Sequence, residues 1–283
     1  MAVWSLDLSG VSCRLIPFAD SDVRHNSFPV VNLALIVLNG LVFLYQLGIG
    51  GVGTLFGGDS VGLTQFFFTW GFIPAELSQG QFFTQLSTGQ GALSNETPVP
   101  TWGTIFSSMF IHGGLLHLAG NMAFLWVFGD NIEDDLGHFK YLLFYLGAGV
   151  AATLTHFFMD PTSQTPLVGA SGAVSGVMGA YLISYPHNRI KALVIFFIIT
   201  VVNVSAVVLL GLWFLWQLIQ AALSLGVSDQ VSVAFGAHVG GFVAGVLVVA
   251  VYKLFTGKPI WPPRGGSPGG GGSTRYWRGR PID

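Results

Sequence analysis

Residues 30–49 read VVNLALIVLNGLVFLYQLGI, twenty consecutive positions without a charged side chain. At about 1.5 Å per residue, a helix of this length spans about 30 Å, the thickness of a bilayer's hydrocarbon core. Phe28-Pro29 precedes the stretch and Gly48, Gly50 and Gly51 close it, so helix punctuation bounds it on both sides. Similar apolar runs follow at about Gly114–Phe128, Phe139–Phe158 and Ser171–Tyr185, the last stopped by Pro186. The uncharged run after Lys191 extends past Leu225, which is too long for one upright helix. Its first part, to about Val204, is expected to be a helical extension or an embedded loop. A fifth span then starts at about Ser205, and a sixth covers about Val233–Tyr252.

The whole chain agrees with that stretch. Of 283 residues, 52% are hydrophobic and 8% charged, and the mean hydropathy is +0.66. A soluble domain carries about 25% charged residues. The shortage excludes a soluble globular enzyme and a disordered chain, and the lack of any basic patch excludes a nucleic-acid binder. The 39 glycines follow no three-residue period, which excludes collagen. Most lie in apolar stretches, where small residues let membrane helices approach closely. The single Cys13 permits no intramolecular disulfide.

Charge orients the spans. With six spans and the N-terminus inside, Arg14, Arg24, Lys140, Arg189 and Lys191 fall on the inner side. So do Lys253, Lys258, Arg264, Arg275, Arg278 and Arg280, which completes the eleven cations. The outer loops then hold only acids: Asp59, Glu76, Glu96, Asp160 and Asp229. Five or seven spans would scatter the cations. The expected architecture is all-α, a six-helix multi-pass bundle with both termini cytosolic. Residues 1–27 form a cytosolic segment without a cleavable signal peptide, residues 28–253 the membrane domain, and residues 254–283 a flexible Gly/Pro/Arg-rich tail.

Polar groups at membrane depth are expensive and are functional candidates by default. The first cluster is His112-Gly-Gly-Leu-Leu-His117-Leu-Ala-Gly-Asn121. His117 and Asn121 are four apart and share a helix face. No metal is expected, since HExxH is missing and no carboxylate or thiol lies nearby. Helix–helix hydrogen bonding is the alternative use of these side chains. The second cluster, Gly169-Ala-Ser171-Gly172-Ala-Val-Ser175-Gly176-Val-Met-Gly179-Ala180, puts Ser171 at a helix entrance. There its hydroxyl can be an N-cap or a nucleophile. The third, Ala237-His238-Val-Gly240-Gly241-Phe-Val-Ala-Gly245, sets a histidine above glycines that can press on the small-residue stripe of the fourth span. That contact would bring His238 to Ser171, while a histidine bonded to a backbone carbonyl is the plain alternative. No acid falls within an expected span, so a serine hydrolase here would use a Ser–His dyad without a third acid.

Met109-Phe-Ile-His112-Gly-Gly-Leu-Leu-His117-Leu-Ala-Gly-Asn121, Gly169-Ala-Ser171-Gly172 and Ala237-His238-Val-Gly240-Gly241 together resemble the motifs of the rhomboid intramembrane serine proteases. The resemblance covers about residues 28–253. It implies Ser171 as nucleophile, His238 as general base, and an oxyanion hole from His117, Asn121 and the Ser171 backbone N–H. It makes His112, Gly169, Gly172 and Gly241 supporting motif residues. It further implies a transmembrane protein substrate, no cofactor, and an integral membrane location, with a prokaryotic plasma membrane expected. Two departures stand out. Trp102-Gly103 replaces the Trp-Arg of many relatives, and Ser175 replaces a tyrosine that in some relatives stacks on the histidine. Trp213, Phe214, Trp216 and the loop Leu225–Val233 are gate and cap candidates. A non-catalytic rhomboid-like chaperone remains the competing expectation, and neither substrate identity nor oligomeric state is legible.

Overall fold

The computed structural model describes residues 4–8, 11–20, 27–58, 60–88, 91–195, 199–224, 234–263, 275–277 and 280–282. It is mostly helical. Four helices are long and apolar enough to cross a membrane: α1 (Val30–Gly50), α6 (His138–Met159), α8 (Ala206–Ser224) and α9 (Phe235–Phe255). The short α4 (Thr104–Ser107) runs on as a 3-10 turn to Phe110, and α5 (Leu115–Leu136) follows after a 94° bend, so this pair makes a fifth span if counted as one. The apolar α7 (Ser171–Ser184) has 14 residues, short of a full span. The expected cap loop, Leu225–Val233, lies outside the described residues.

Two expectations are corrected. The second helix was expected to end at about Phe128 and to be free of acids. Instead α5 runs to Leu136, stopped by Gly137 at φ 78°, and carries Asp130, Glu133, Asp134 and Asp135 in its last two turns. The helix end is set by the left-handed glycine and not by the end of the apolar run. Two of these acids have partners in the chain entering α1. The first-turn amides of Val31 and Asn32 donate to the two Glu133 carboxylate oxygens (2.9 and 2.7 Å). The amide and hydroxyl of Ser27 both donate to Asp134 Oδ1 (2.8 Å each). The N-cap of α1 is Pro29, which offers no side-chain cap, so α5 satisfies these orphan donors from outside.

The second correction concerns residues 189–205, expected as a helical extension or embedded loop. They form a hairpin, β5 (Arg189–Ile195) and β6 (Ile199–Ser205), in which Arg189 faces Ser205 and Ile195 faces Ile199. With β1 (Trp4–Leu8) and β2 (Val11–Asp20) it makes an antiparallel sheet of order β1-β2-β5-β6. Hydropathy cannot tell a buried strand from a helix, but the β-branched residues of Ile199-Thr-Val-Val-Asn-Val204 favour the strand. The architecture is therefore a helical bundle with a sheet at one end, and not all-α. The long loop after α1 folds into α2 (Val61–Trp70), α3 (Pro74–Gln79) and the hairpin of β3 (Gln85–Thr88) and β4 (Gly91–Ser94). A last short pair, β7 (Arg275–Trp277) and β8 (Arg280–Ile282), lies near the C-terminus.

Buried α7 sits at the centre, where its small residues let its neighbours reach its backbone. A methyl group on Gly172 or Gly176 would come within 2.5 Å of Ala152 or Ala148 of α6. On the side facing α9, a methyl on Gly241 would overlap the Gly172 carbonyl, and one on Gly245 the Gly176 carbonyl. The two helices thus touch backbone to backbone.

Candidate active site

Ser171 is the first residue of α7, and its N-cap is Ala170. Gly169 holds φ at 129°, a region that penalises a side chain, and its amide donates to the Ser108 carbonyl in the turn after α4 (2.9 Å). This turn delivers Ser171 to the helix entrance. Its Oγ does not cap the helix and lies 2.8 Å from His238 Nε2. His238 reaches that point because Gly241, one turn below it on α9, allows the close approach to α7.

The imidazole of His238 is held on its far side. Nδ1 is 2.7 Å from Gln217 Oε1 on α8. The Trp213 ring lies 6.1 Å away at 38°, and the Phe235 ring 6.4 Å away, perpendicular. Ser175 supplies none of this support, because its hydroxyl donates to the Ser171 carbonyl (2.6 Å). Of the three expected gate aromatics, Trp213 is buried against His238 and Phe242, and Phe214 stacks on Phe242 at 4.5 Å. Trp216 is 40% exposed, the only one of the three with much accessible surface.

His117 borders the same space as Ser171. A methyl group built on Gly169 would lie 2.9 Å from His117 Nε2 and 3.6 Å from Ser171 Oγ, so the glycine leaves open a gap between two heteroatoms. His117 Nδ1 accepts a long bond from the Gly113 amide (3.4 Å). The ring proton then sits on Nε2, pointing at that gap. Asn121, one turn along α5, is fully buried, and among the described residues neither its Oδ1 nor its Nδ2 has a partner. A buried amide without a partner is costly, and its donor and acceptor are free to take a polar atom of another molecule. The His112 ring is also fully buried, 5.1 Å from the His117 ring at 70°. Its peptide is gripped by the Gln46 side chain, which donates to the His112 carbonyl (2.7 Å) and accepts from the His112 amide (3.0 Å). Among the described residues, no three His, Cys, Asp or Glu side chains gather as metal ligands would.

Gln46 and Gln217 escape the sequence reading. A single amide in an apolar helix carries no local motif. Gln46 had one signal: Asn32, Asn39 and Gln46 recur every seven residues and are all buried, a polar seam on α1.

The family model of the rhomboid domain matches residues 100–255, more than half of the chain and all of α4 to α9. The chain belongs to the rhomboid family. The rhomboid protease GluP of Bacillus subtilis is 28% identical over 185 residues, covering 65% of this chain and 32% of that protein. The chloroplastic rhomboid-like protein 11 of Arabidopsis thaliana is 29% identical, covering 55% and 54%. The mitochondrial rhomboid protein 1 of Saccharomyces cerevisiae is 30% identical, covering 51% and 40%. This rhomboid thus spans between about a third and about half of the length of these relatives. Family and apolar helices together make it an integral membrane protein.

Proposed function

We propose that this rhomboid is an intramembrane serine endopeptidase that hydrolyses peptide bonds in or beside the transmembrane segments of other membrane proteins. The observation that supports this most is the 2.8 Å contact of Ser171 Oγ with His238 Nε2, with His117 Nε2 bordering the same gap. Ser171 attacks the scissile carbonyl while His238 Nε2 takes its proton. The carbonyl oxygen becomes an oxyanion held by His117 Nε2–H, the Asn121 amide and the Ser171 backbone N–H, a first-turn donor that the helix leaves unpaired. The imidazolium then returns its proton to the leaving amine, and water, deprotonated by the same nitrogen, releases the acyl group from Ser171. A substrate helix must unwind locally to expose its carbonyl. In this reading the chain spans the bilayer six times, with α4–α5 as one broken span, α7 as a short one, and both termini cytosolic in a prokaryotic plasma membrane.

The test uses purified protein in detergent with a fluorescent transmembrane substrate. Cleavage by the wild type that is lost in both Ser171→Ala and His238→Ala is the expected result. Cleavage that persists in either variant overturns the dyad. A folded wild type that cleaves nothing favours a non-catalytic chaperone.

A further inference from the structure

Gln217 is 7% exposed and His238 3% exposed, so the contact between them is made away from bulk water. Gln217 lies on the inward face of α8, one turn after Trp213 and one turn before Ala221, all three buried. We propose that Gln217 is the positioning residue for His238: its Oε1 accepts the Nδ1–H bond and fixes the tautomer that turns the Nε2 lone pair toward Ser171. The proposal deepens the protease reading and rests on it for its catalytic consequence.

Hydrogen-bond chemistry carries the assignment. Neutral imidazole has one N–H and one lone pair. For Nε2 to accept the Ser171 hydroxyl proton, Nδ1 must hold the ring proton and needs an acceptor. The amide oxygen at 2.7 Å is that acceptor. The usual third member of a hydrolase triad is a carboxylate, which orients the ring and also stabilises its charged form. An uncompensated carboxylate is expensive at membrane depth. A neutral amide orients the ring without that cost and without the added charge stabilisation. Trp213 packs on the ring from the same helix and limits its rotation. Among the described residues, the titratable side chains of the other helices within electrostatic reach of His238 are His117 of α5 and His156 of α6. Neither brings a carboxylate, so a charge introduced at position 217 would be the dominant influence on the imidazole.

The test combines a spectroscopic and a kinetic readout. In protein labelled with 15N-histidine, the His238 resonances are assigned by their loss in His238→Ala. The wild type is expected to show Nδ1 protonated and Nε2 as a bare acceptor, and Gln217→Leu to show a mixture of tautomers. In cleavage assays, Gln217→Leu should lower kcat by about tenfold or more with KM unchanged. Gln217→Glu, closest in shape, should stay folded and active. Its carboxylate favours the imidazolium, so the base form appears only at higher pH, and the acid limb of the kcat/KM profile should move up by about one pH unit. A wild-type His238 protonated on Nε2, or an unchanged tautomer in Gln217→Leu, overturns the proposal. If the wild type proves not to cleave at all, the protease reading fails, and the tautomer measurement still decides the role of Gln217.

Discussion

His117 and Asn121 lie one turn apart on α5; His117 Nε2 and the Ser171 hydroxyl border one gap at Gly169, and the buried Asn121 amide has no partner among the described residues. Removing one oxyanion donor typically costs about 10²- to 10³-fold in rate. His117→Ala and Asn121→Ala should each lower kcat by that order while leaving the melting temperature within a few degrees, as thermal unfolding and cleavage kinetics would show. Gly169→Ala should be worse for both properties, because φ at 129° excludes a side chain and the methyl would push His117 from its place. Glu76 of α3 gives a pH prediction. Its Oε1 accepts the Phe83 amide (2.9 Å), its Oε2 has no partner among the described residues, and burial pushes its pKa above the ordinary carboxylate value. The folded state therefore favours the protonated acid, and that stabilisation fades as pH rises through the raised pKa. Glu76→Gln keeps the Phe83 bond and removes the charge, so it should melt higher than wild type at pH 7, and the gap should close near about pH 4. The serine, the three histidines and Asn121 are legible in the sequence because polar groups are rare in apolar spans. Gln217 is equally rare but stands alone, and Gln46 shows only as part of the seam with Asn32 and Asn39; what singles both out is a partner far along the chain.

The contact between α7 and α9 makes the meeting of Ser171 and His238 possible. Gly245 touches the Gly176 carbonyl two turns below the site, so Gly245→Leu should separate the helices. Cleavage should fall by at least tenfold, since a general base out of reach forfeits a contribution of about 10²- to 10⁴-fold. Thermal unfolding should show a large loss of stability as well. The glycines at spacings of three and four were readable as a packing face, because the pattern needs only residue size. The extent of α5 was not, since apolarity ends at Phe128 while the helix continues to Gly137 on partners from elsewhere in the chain. Glu133 is one such case. It accepts from two α1 amides, and bonds to charged acceptors contribute about 1.5–3 kcal/mol each. Glu133→Ala should therefore lower stability by at least about 2 kcal/mol in a denaturation series and loosen the start of α1 in hydrogen exchange.

Across the molecule, the sheet ties the N-terminal strands to the hairpin that joins α7 and α8. Asp20 at the end of β2 meets Tyr181 of α7 and Asn131 of α5 (3.3 Å from Asn131), so three elements share one acid. Deleting residues 1–20 would leave β5 with an unpaired edge and should lower the melting temperature and promote self-association, as light scattering in detergent would show. The membrane class, the order of the apolar helices and the three motifs could be read from composition and spacing. The sheet could not, because strand pairing between residues 14–20 and 190–195 is a long-range register that hydropathy does not encode. The central claim is that Ser171 is a nucleophile activated by His238. Peptide mass spectrometry after treatment with a fluorophosphonate tests it most directly. The adduct should sit on Ser171 in the wild type and form at least about a hundredfold more slowly in His238→Ala. An adduct on another residue, or labelling of Ser171 at the same rate without His238, would contradict it.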